Sequence, residues 1–283
     1  MGPAEVKPLV VIPSTGNREH MLWNLLRSIE RWPERDAYDY MLVLQEYTDG
    51  QQEGLVFSPV TITQAEAFDR LLGPHVARQT ALKANEDREL FIMLDDDQEM
   101  LPDTSFADAL RLAQHPLTGL VCIRQAASPG LVAQRRRTVR GVEQSPMVCT
   151  DGGMALARHT ADVIRAMPPE AYSCDNTEWS LATYMAGLVN LVDHNHWSLH
   201  RAGSRGGRRA SAGRLDDGWL SVPRVTPDPR YVRFPEMRQK LPDVHEANRV
   251  GWTRGFTSLA HAAHHAAAQE RARAWEEQCR TRA

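Results

Sequence analysis

Apolar and polar positions along the first hundred residues switch repeatedly between two periods. "PLVVIPSTGN" (8–17) begins with a continuous apolar run closed by turn residues, the pattern of a short buried strand. "REHMLWNLLRSIERW" follows, with Met21, Leu22, Leu25, Leu26 and Ile29 on one helical face, and Pro33 stops it. "YDYMLVLQEY" predicts a second strand and "EGLVFSPVTITQ" a third, shorter one. "VARQTALKANED" predicts a helix with Val76, Thr80, Ala81 and Ala84 inward, and "LFIML" the next strand. Strand and helix alternate, so the first half predicts a mostly parallel sheet with helices on its faces. In such sheets ligands collect beyond the carboxyl ends of the strands. "PSTGN" and "DDDQE" both fall there.

The second half is less regular. "SFADALRLAQH" predicts a helix, "GLVCIRQA" a strand, and "PGLVAQRRRTVRG" a loop or hairpin. "SPMVCTDGGMALARH" runs from a strand through a glycine turn into a short strand or helix. "TEWSLATYMAGLVN" predicts an amphipathic helix packing Trp179, Leu181, Ala182 and Met185. "DHNHWSLHRAGSRGGRRASAGR" predicts a loop, and "PRVTPDPRYVRFPEM" carries too many prolines for regular structure. An alanine-rich helix closes the sequence. The division this implies is a first half over 1–100, a second over 101–215 and a C-terminal extension over 216–283, one α/β domain overall.

Composition narrows the class. With 42% apolar and 24% charged residues, the 283-residue chain has the balance of a soluble globular protein with ample core. No apolar run approaches the roughly 18 residues of a membrane span, and "MGPAEVKPLVVIP" lacks the features of a signal peptide. Cys122, Cys149, Cys174 and Cys279 are scattered without a CxxC pair, which argues against a zinc site or a disulfide framework. The expectation is a soluble, cytoplasmic protein of a reducing compartment with no membrane partner.

"FIMLDDDQEM" (91–100) carries the chemistry. Neighbouring carboxylates repel one another, and burial raises their pKa further, so a run of three at a strand end needs compensation. A divalent cation supplies it, and Mn2+ or Mg2+ suits oxygen ligands best. In an extended segment Asp95 and Asp97 share a face while Asp96 points away. An Asp-x-Asp pair of that kind grips a hard cation that in turn grips a diphosphate.

The chain resembles the glycosyltransferases of the GT-A fold, which use a nucleotide-sugar donor. Four stretches carry the resemblance, in order, over roughly 8–200. They are "LVVIPSTGNREHMLWNLLRSI", "HVARQTALKA", "FIMLDDD", and "TDGGMALARHTADVI" followed by "CDNTEWSLATYMAGL". The resemblance implies an α/β fold with a Rossmann-like nucleotide half and a mixed acceptor half. It implies a nucleotide-diphosphate sugar as donor, a UDP-sugar first among them. Pro13, Ser14, Thr15, Asn17 and Arg18 would line the nucleoside pocket, and Asp69 and Arg78 would sit near the base or diphosphate. Asp95, with Asp96 beside it, would face the ribose or the metal, Asp97 would ligate the metal, and Gly152 and Gly153 would let backbone approach the sugar.

By the same resemblance the catalytic base would fall in "CDNTEWS", where the family's aspartate aligns with Asn176. This departure leaves Asp175 first and Glu178 second as the general base of an inverting reaction, or no base at all in a retaining one. Many members complete the metal site with a downstream histidine. "DHNHWSLH" offers Asp193, His194, His196 and His200, with His196 and His194 leading.

Two stretches, "RQAASPGLVAQRRRTVRG" and "RAGSRGGRRASAGR", are arginine-rich and acid-free in a chain of net charge −3. That segregation points to a polyanion partner, with Arg135, Arg136, Arg137, Arg208 and Arg209 as its contacts. "PSTGN" and "SRGGRR" also resemble segments of the TET-associated glycosyltransferases of phages. That resemblance implies transfer to a 5-hydroxymethylated pyrimidine in DNA. The rival readings are a GT-A enzyme acting on a glycan or protein, a nucleotidyltransferase, and a non-enzymatic DNA-binding protein.

Overall fold

The computed structural model describes residues 6–70, 72–126, 129–136, 141–144, 153–167, 179–180, 182–183 and 186–200. Its first strand, β1 (Leu9–Thr15), is buried on both faces through Ser14, as its apolar run demands. A short 3-10 turn (Gly16–Arg18) leads into α1 (Glu19–Glu30), which buries Met21, Leu22, Leu25, Leu26 and Ile29. β2 (Asp39–Gln45) pairs parallel with β1, and β4 (Leu90–Met93) pairs parallel with its other side. Alternate residues of β1 feed two cores. Val10 and Ile12 join Leu22, Leu25, Leu26 and Trp32 on one face. Leu9 and Val11 join Ala77, Leu82, Phe91 and Met93 on the other. Trp32 stacks on Tyr38 with ring centroids 5.0 Å apart.

The remaining strands are β3 (Gln64–Phe68), β5 (Gln98–Glu99), β6 (Thr118–Ala126), β7 (Val142–Gln144), β8 (Met154–Ala157) and β9 (Val189–His200). Among the described residues one sheet runs β3-β2-β1-β4-β8-β6-β9-β5, with β7 pairing β9. The β1–β4 portion is parallel as its alternation with helices predicts. β8 is antiparallel to β4 and β6, and β5 and β7 are antiparallel to β9, so the whole sheet is mixed. Strands from both halves of the chain therefore share one sheet. No described helix is long and apolar enough to cross a membrane.

Four expectations change. Residues 53–57 do not begin a strand. α2 (Asp49–Gly54), started by a Thr48–Gln51 capping box, runs into a 3-10 turn over Leu55–Phe57, and the edge strand β3 begins only at Gln64. α3 (Pro74–Ala84) is a helix, but Ala84 is exposed and Val76 and Thr80 are half-buried. Its buried residues are His75, Ala77, Arg78, Gln79, Ala81 and Leu82. Three of these are polar, and each has a partner in the protein: Gln79 Nε2, for instance, donates to the carbonyls of Ile164 and Met167 at the end of α6 (Arg158–Arg165). "PGLVAQRRRTVRG" contains α5 (Pro129–Arg136) and leads to β7. "DHNHWSLH" is not a loop but the end of the twelve-residue β9, because β6, β7 and β5 supply its ladder partners and override its polar composition. The fourth helix of the chain, α4 (Ala107–Ala113), is where the pattern puts it.

Candidate functional site

The carboxyl ends of β1, β2 and β4 meet at one place. β1 ends at Thr15, whose Oγ1 donates to Asn17 Oδ1 at 2.6 Å. The chain then turns at Gly16 close under β2, where a Cβ would overlap the Glu46 carbonyl. Glu46 itself stands at φ 54°, the one non-glycine residue with positive φ among those described, directly after β2. Beyond β4 the three aspartates project in different directions, and each finds its own compensation.

Asp95 pairs with Arg78, whose side chain is only 1% exposed. Asp96 does not point out to solvent. It turns inward, where Ser14 Oγ donates to its Oδ2 at 2.8 Å and lies 2.9 Å from the Tyr47 hydroxyl. Arg18 Nη2 bridges Asp96 Oδ1 at 2.5 Å and Asp97 Oδ2 at 2.7 Å. His200 Nε2 lies 3.3 Å from the other oxygen of Asp97. Burial pushes the Asp96 carboxyl up to about 7, against the pull of the Arg18 charge. Burial would raise Asp97 too, but the hydrogen bond to His200 and the Arg18 charge outweigh it and hold this carboxyl below its usual range. Burial works against the Arg18 charge as well, and the three aspartates more than offset it, Asp96 foremost.

Register explains which histidine arrives. β5 follows the aspartates immediately and pairs antiparallel with β9, setting Gln98 opposite His200. His200 is thereby brought beside Asp97. His196 and His194, the leading choices from sequence, are placed elsewhere. The β6–β9 register jumps from Ile123↔Asp193 to Arg124↔Trp197, so residues 194–196 bulge out of the ladder. There His196 Nδ1 meets Asp193 Oδ2 at 2.6 Å and His194 Nε2 meets Glu143 Oε2 at 2.7 Å. Glu46, Tyr47 and the position of His200 were not legible from motif spacing. A bulge in a histidine-rich strand has no sequence signal of its own.

Pro13 lies within β1 opposite Val43, and Asp69 is exposed just past β3. Gly153 has φ 99°, and a Cβ there would stand 2.6 Å from the Phe106 ring, so packing alone requires glycine at this position. Arg135 and Arg136 close α5. Gly152, Asp175, Glu178, Arg137, Arg208, Arg209 and the C-terminal extension lie outside the described residues. Just past the candidate base segment, Trp179 is fully buried, and its indole Nε1 donates to His75 Nδ1 on α3 at 2.7 Å.

Among the described residues no group of three His, Cys, Asp or Glu side chains is disposed to hold a metal by itself. Asp97 and His200 offer two adjacent ligands. That number fits a cation of the Mg2+ or Mn2+ kind, which takes one or two carboxylates and completes its shell with waters and substrate phosphates.

No protein-family profile matches the chain, and no curated protein does either. Solved structures do match. PcManGT, a mannosyltransferase from Pyrobaculum calidifontis in complex with GDP-Man and Mn2+, is 18% identical at a TM-score of 0.55, over 92% of this chain and 81% of that one. GalNAc-T7 with UDP, GalNAc and Mn2+ is 14% identical at 0.56, over 90% of this chain and 57% of that one. Residues 1–349 of S. aureus TarS are 16% identical at 0.53, over 98% of this chain and 92% of that one. The fold they share with this chain is GT-A.

Proposed function

We propose that the chain is a metal-dependent glycosyltransferase that moves a sugar from a nucleoside diphosphate sugar to a hydroxyl acceptor. The observation that carries this reading is the strand-end cluster. Three aspartates, two arginines and His200 meet where β1 and β4 end, beyond a turn that keeps the backbone close to β2. Mn2+ accompanies the nucleotide in PcManGT and GalNAc-T7, which supports the same pairing here. Asp97 and His200 would hold the cation, with Asp95 beside them. Thr15, Asn17 and Glu46 line the turn where a nucleoside would rest, and Arg78 fixes the direction of Asp95. The chemistry a bound Mn2+ or Mg2+ supplies is neutralisation of the charge left on the departing diphosphate.

The acceptor hydroxyl attacks the anomeric carbon, the nucleoside diphosphate leaves, and a base takes the hydroxyl proton. Asp175 is that base in our reading, with Glu178 second. The Trp179–His75 hydrogen bond supports this, because it ties the chain next to both carboxylates onto α3, the helix that carries Arg78. Asp175→Asn should lower turnover by about 10²–10⁴-fold with donor binding intact. A severe Glu178→Gln beside a mild Asp175→Asn would reverse the order. Two mild variants would favour a retaining mechanism.

The overall reading is tested by thermal shift with UDP- and GDP-sugars, with and without Mn2+. A donor at about a hundred times its Kd adds about 2.7 kcal/mol of stability. The rise should need nucleotide and cation together, and its absence for every donor would overturn the reading. The finer reading, a 5-hydroxymethylated pyrimidine in DNA as acceptor, rests on the two arginine stretches. Duplex affinity should then fall with salt, and Arg208→Ala with Arg209→Ala should flatten that slope by about 0.9 for each phosphate no longer neutralised. No duplex binding at about 50 mM salt would return the acceptor to a glycan or protein.

A further inference from the structure

The two arginines at the end of β4 are held in different ways. Arg78 is buried on α3 and pairs with Asp95. Arg18 stands at the mouth of α1 with 27% of its side chain exposed, and one nitrogen, Nη2, makes both of its carboxylate contacts. Its Nε is buried with no hydrogen-bond partner among the described residues. A guanidinium carries five donors in a planar fork made for two oxygens at a time. Here it serves as a point charge between two carboxylates and leaves a buried donor unspent.

The two ends of this bridge are unequal. Asp96 is 4% exposed, and its second oxygen is fixed by Ser14, which in turn meets Tyr47. Asp97 is shared between Arg18 and His200. Asp96 is therefore the pivot, and Asp97 the contact that can be exchanged.

We propose that Arg18 is a two-position cation, an inference that rests on Asp97 and His200 being cation ligands. Before a divalent ion binds, Arg18 neutralises Asp97. When the ion takes Asp97, Arg18 stays on Asp96 and turns its remaining donors, Nε included, onto the diphosphate of the donor. The exchange removes like-charge repulsion among the aspartates in both states. It also makes ion and nucleotide favour each other through one side chain, and such coupling is reciprocal.

The test measures Mn2+ binding by the loss of its free-ion EPR signal, on wild type, Arg18→Met and Arg18→Lys, alone and with UDP or GDP. Arg18→Met removes the competitor for Asp97, so Mn2+ alone should bind on the order of tenfold more tightly, the worth of one charge-assisted hydrogen bond. With Mn2+ saturating, the same variant should bind nucleoside diphosphate on the order of tenfold more weakly. Arg18→Lys keeps the charge without the fork. It should leave Mn2+ alone near the wild-type affinity while still weakening the nucleotide, and it serves should the methionine variant fail to fold. A wild type that binds Mn2+ and nucleotide, with Arg18→Met binding Mn2+ no more tightly, overturns this proposal alone. So does unchanged nucleotide affinity in both variants. A wild type that binds neither ligand overturns the donor-site reading and this inference together.

Discussion

β9 carries two histidine–aspartate pairs of opposite construction. Near its middle, Asp193 is fully buried and takes both its partners from the same strand: His196 Nδ1 at 2.6 Å and the Asn195 amide at 2.8 Å. At its end, His200 reaches Asp97 across the sheet at 3.3 Å, and that carboxylate also holds Arg18. The first pair is local and saturated. It closes a bulge, and its atoms have little to offer a ligand. The second exists only because β5 and β9 pair, and its carboxylate is shared between His200 and Arg18. Residue type is the same in both pairs. What separates a structural pair from a candidate ligand pair is whether the partners are spent on each other.

Asp97→Asn draws the difference most sharply. It keeps the shape of the side chain and removes the charge that a cation needs. The Mn2+-dependent part of the thermal shift with UDP or GDP should vanish, with the fold retained. Asp193→Asn should do the reverse. It should keep the Mn2+-dependent shift and lower the unfolding free energy by about 1–3 kcal/mol, the cost of spoiling a buried charge-assisted hydrogen bond. Loss of the Mn2+ response in Asp193→Asn would erase the distinction.

The histidines give the next largest effect. His200→Gln should weaken Mn2+ binding in the presence of nucleotide by about 10–100-fold, the range seen when the support of a metal site is removed. His196→Gln and His194→Gln should leave it unchanged, because His196 is committed to Asp193 and His194 to Glu143. Calorimetric titration of Mn2+ into each nucleotide-saturated variant separates them. A weakened His196→Gln beside an unaffected His200→Gln would restore the assignment that motif counting favours.

These contrasts show which features the sequence announces. Strands β1, β2 and β4 were legible because they are continuous apolar runs between helices with a clear buried face, α1 above all, whereas the polar edge strand β3 was placed too early. The aspartates were legible because like charges at the end of a buried strand demand compensation. Their individual directions were not. Strict alternation sets Asp96 apart from Asp95 and Asp97, but it does not say that this side is the protein interior, where Ser14, itself held by Tyr47, meets Asp96. Arg78 could be read as an exposed helix charge, but its environment, supplied by residues far away in the chain, makes it one of the most buried side chains. β9 is obscured for the same reason. "DHNHWSLH" looks like a loop until three neighbouring strands satisfy its backbone. Long-range pairing sets His200 beside Asp97, and spacing along the chain cannot express that juxtaposition.

The smallest effect is a dependence on pH in the structural pair alone. The hydrogen bond from His196 to Asp193 holds the imidazolium above its ordinary pKa, against partial burial that would lower it, and Asp193, Asp108 and Glu34 add their negative charge. The folded protein therefore binds this proton more tightly than the unfolded chain. A group raised on folding contributes its full stability below its unfolded value, near 6.5, and loses it as the pH climbs through the folded value. The contribution is modest, about 1 kcal/mol, because the ring is partly open to water. Urea unfolding with EDTA present, at about pH 6 and about pH 9, brackets that window. Wild type should exceed His196→Gln in stability at the lower pH, and the gap should narrow at the higher one. EDTA keeps the Asp97–His200 pair free of metal, so linkage to a bound ion adds nothing to the difference. A gap that stays constant with pH would mean that His196 holds its place by packing, and the charge on the ring would then play no part in closing the bulge.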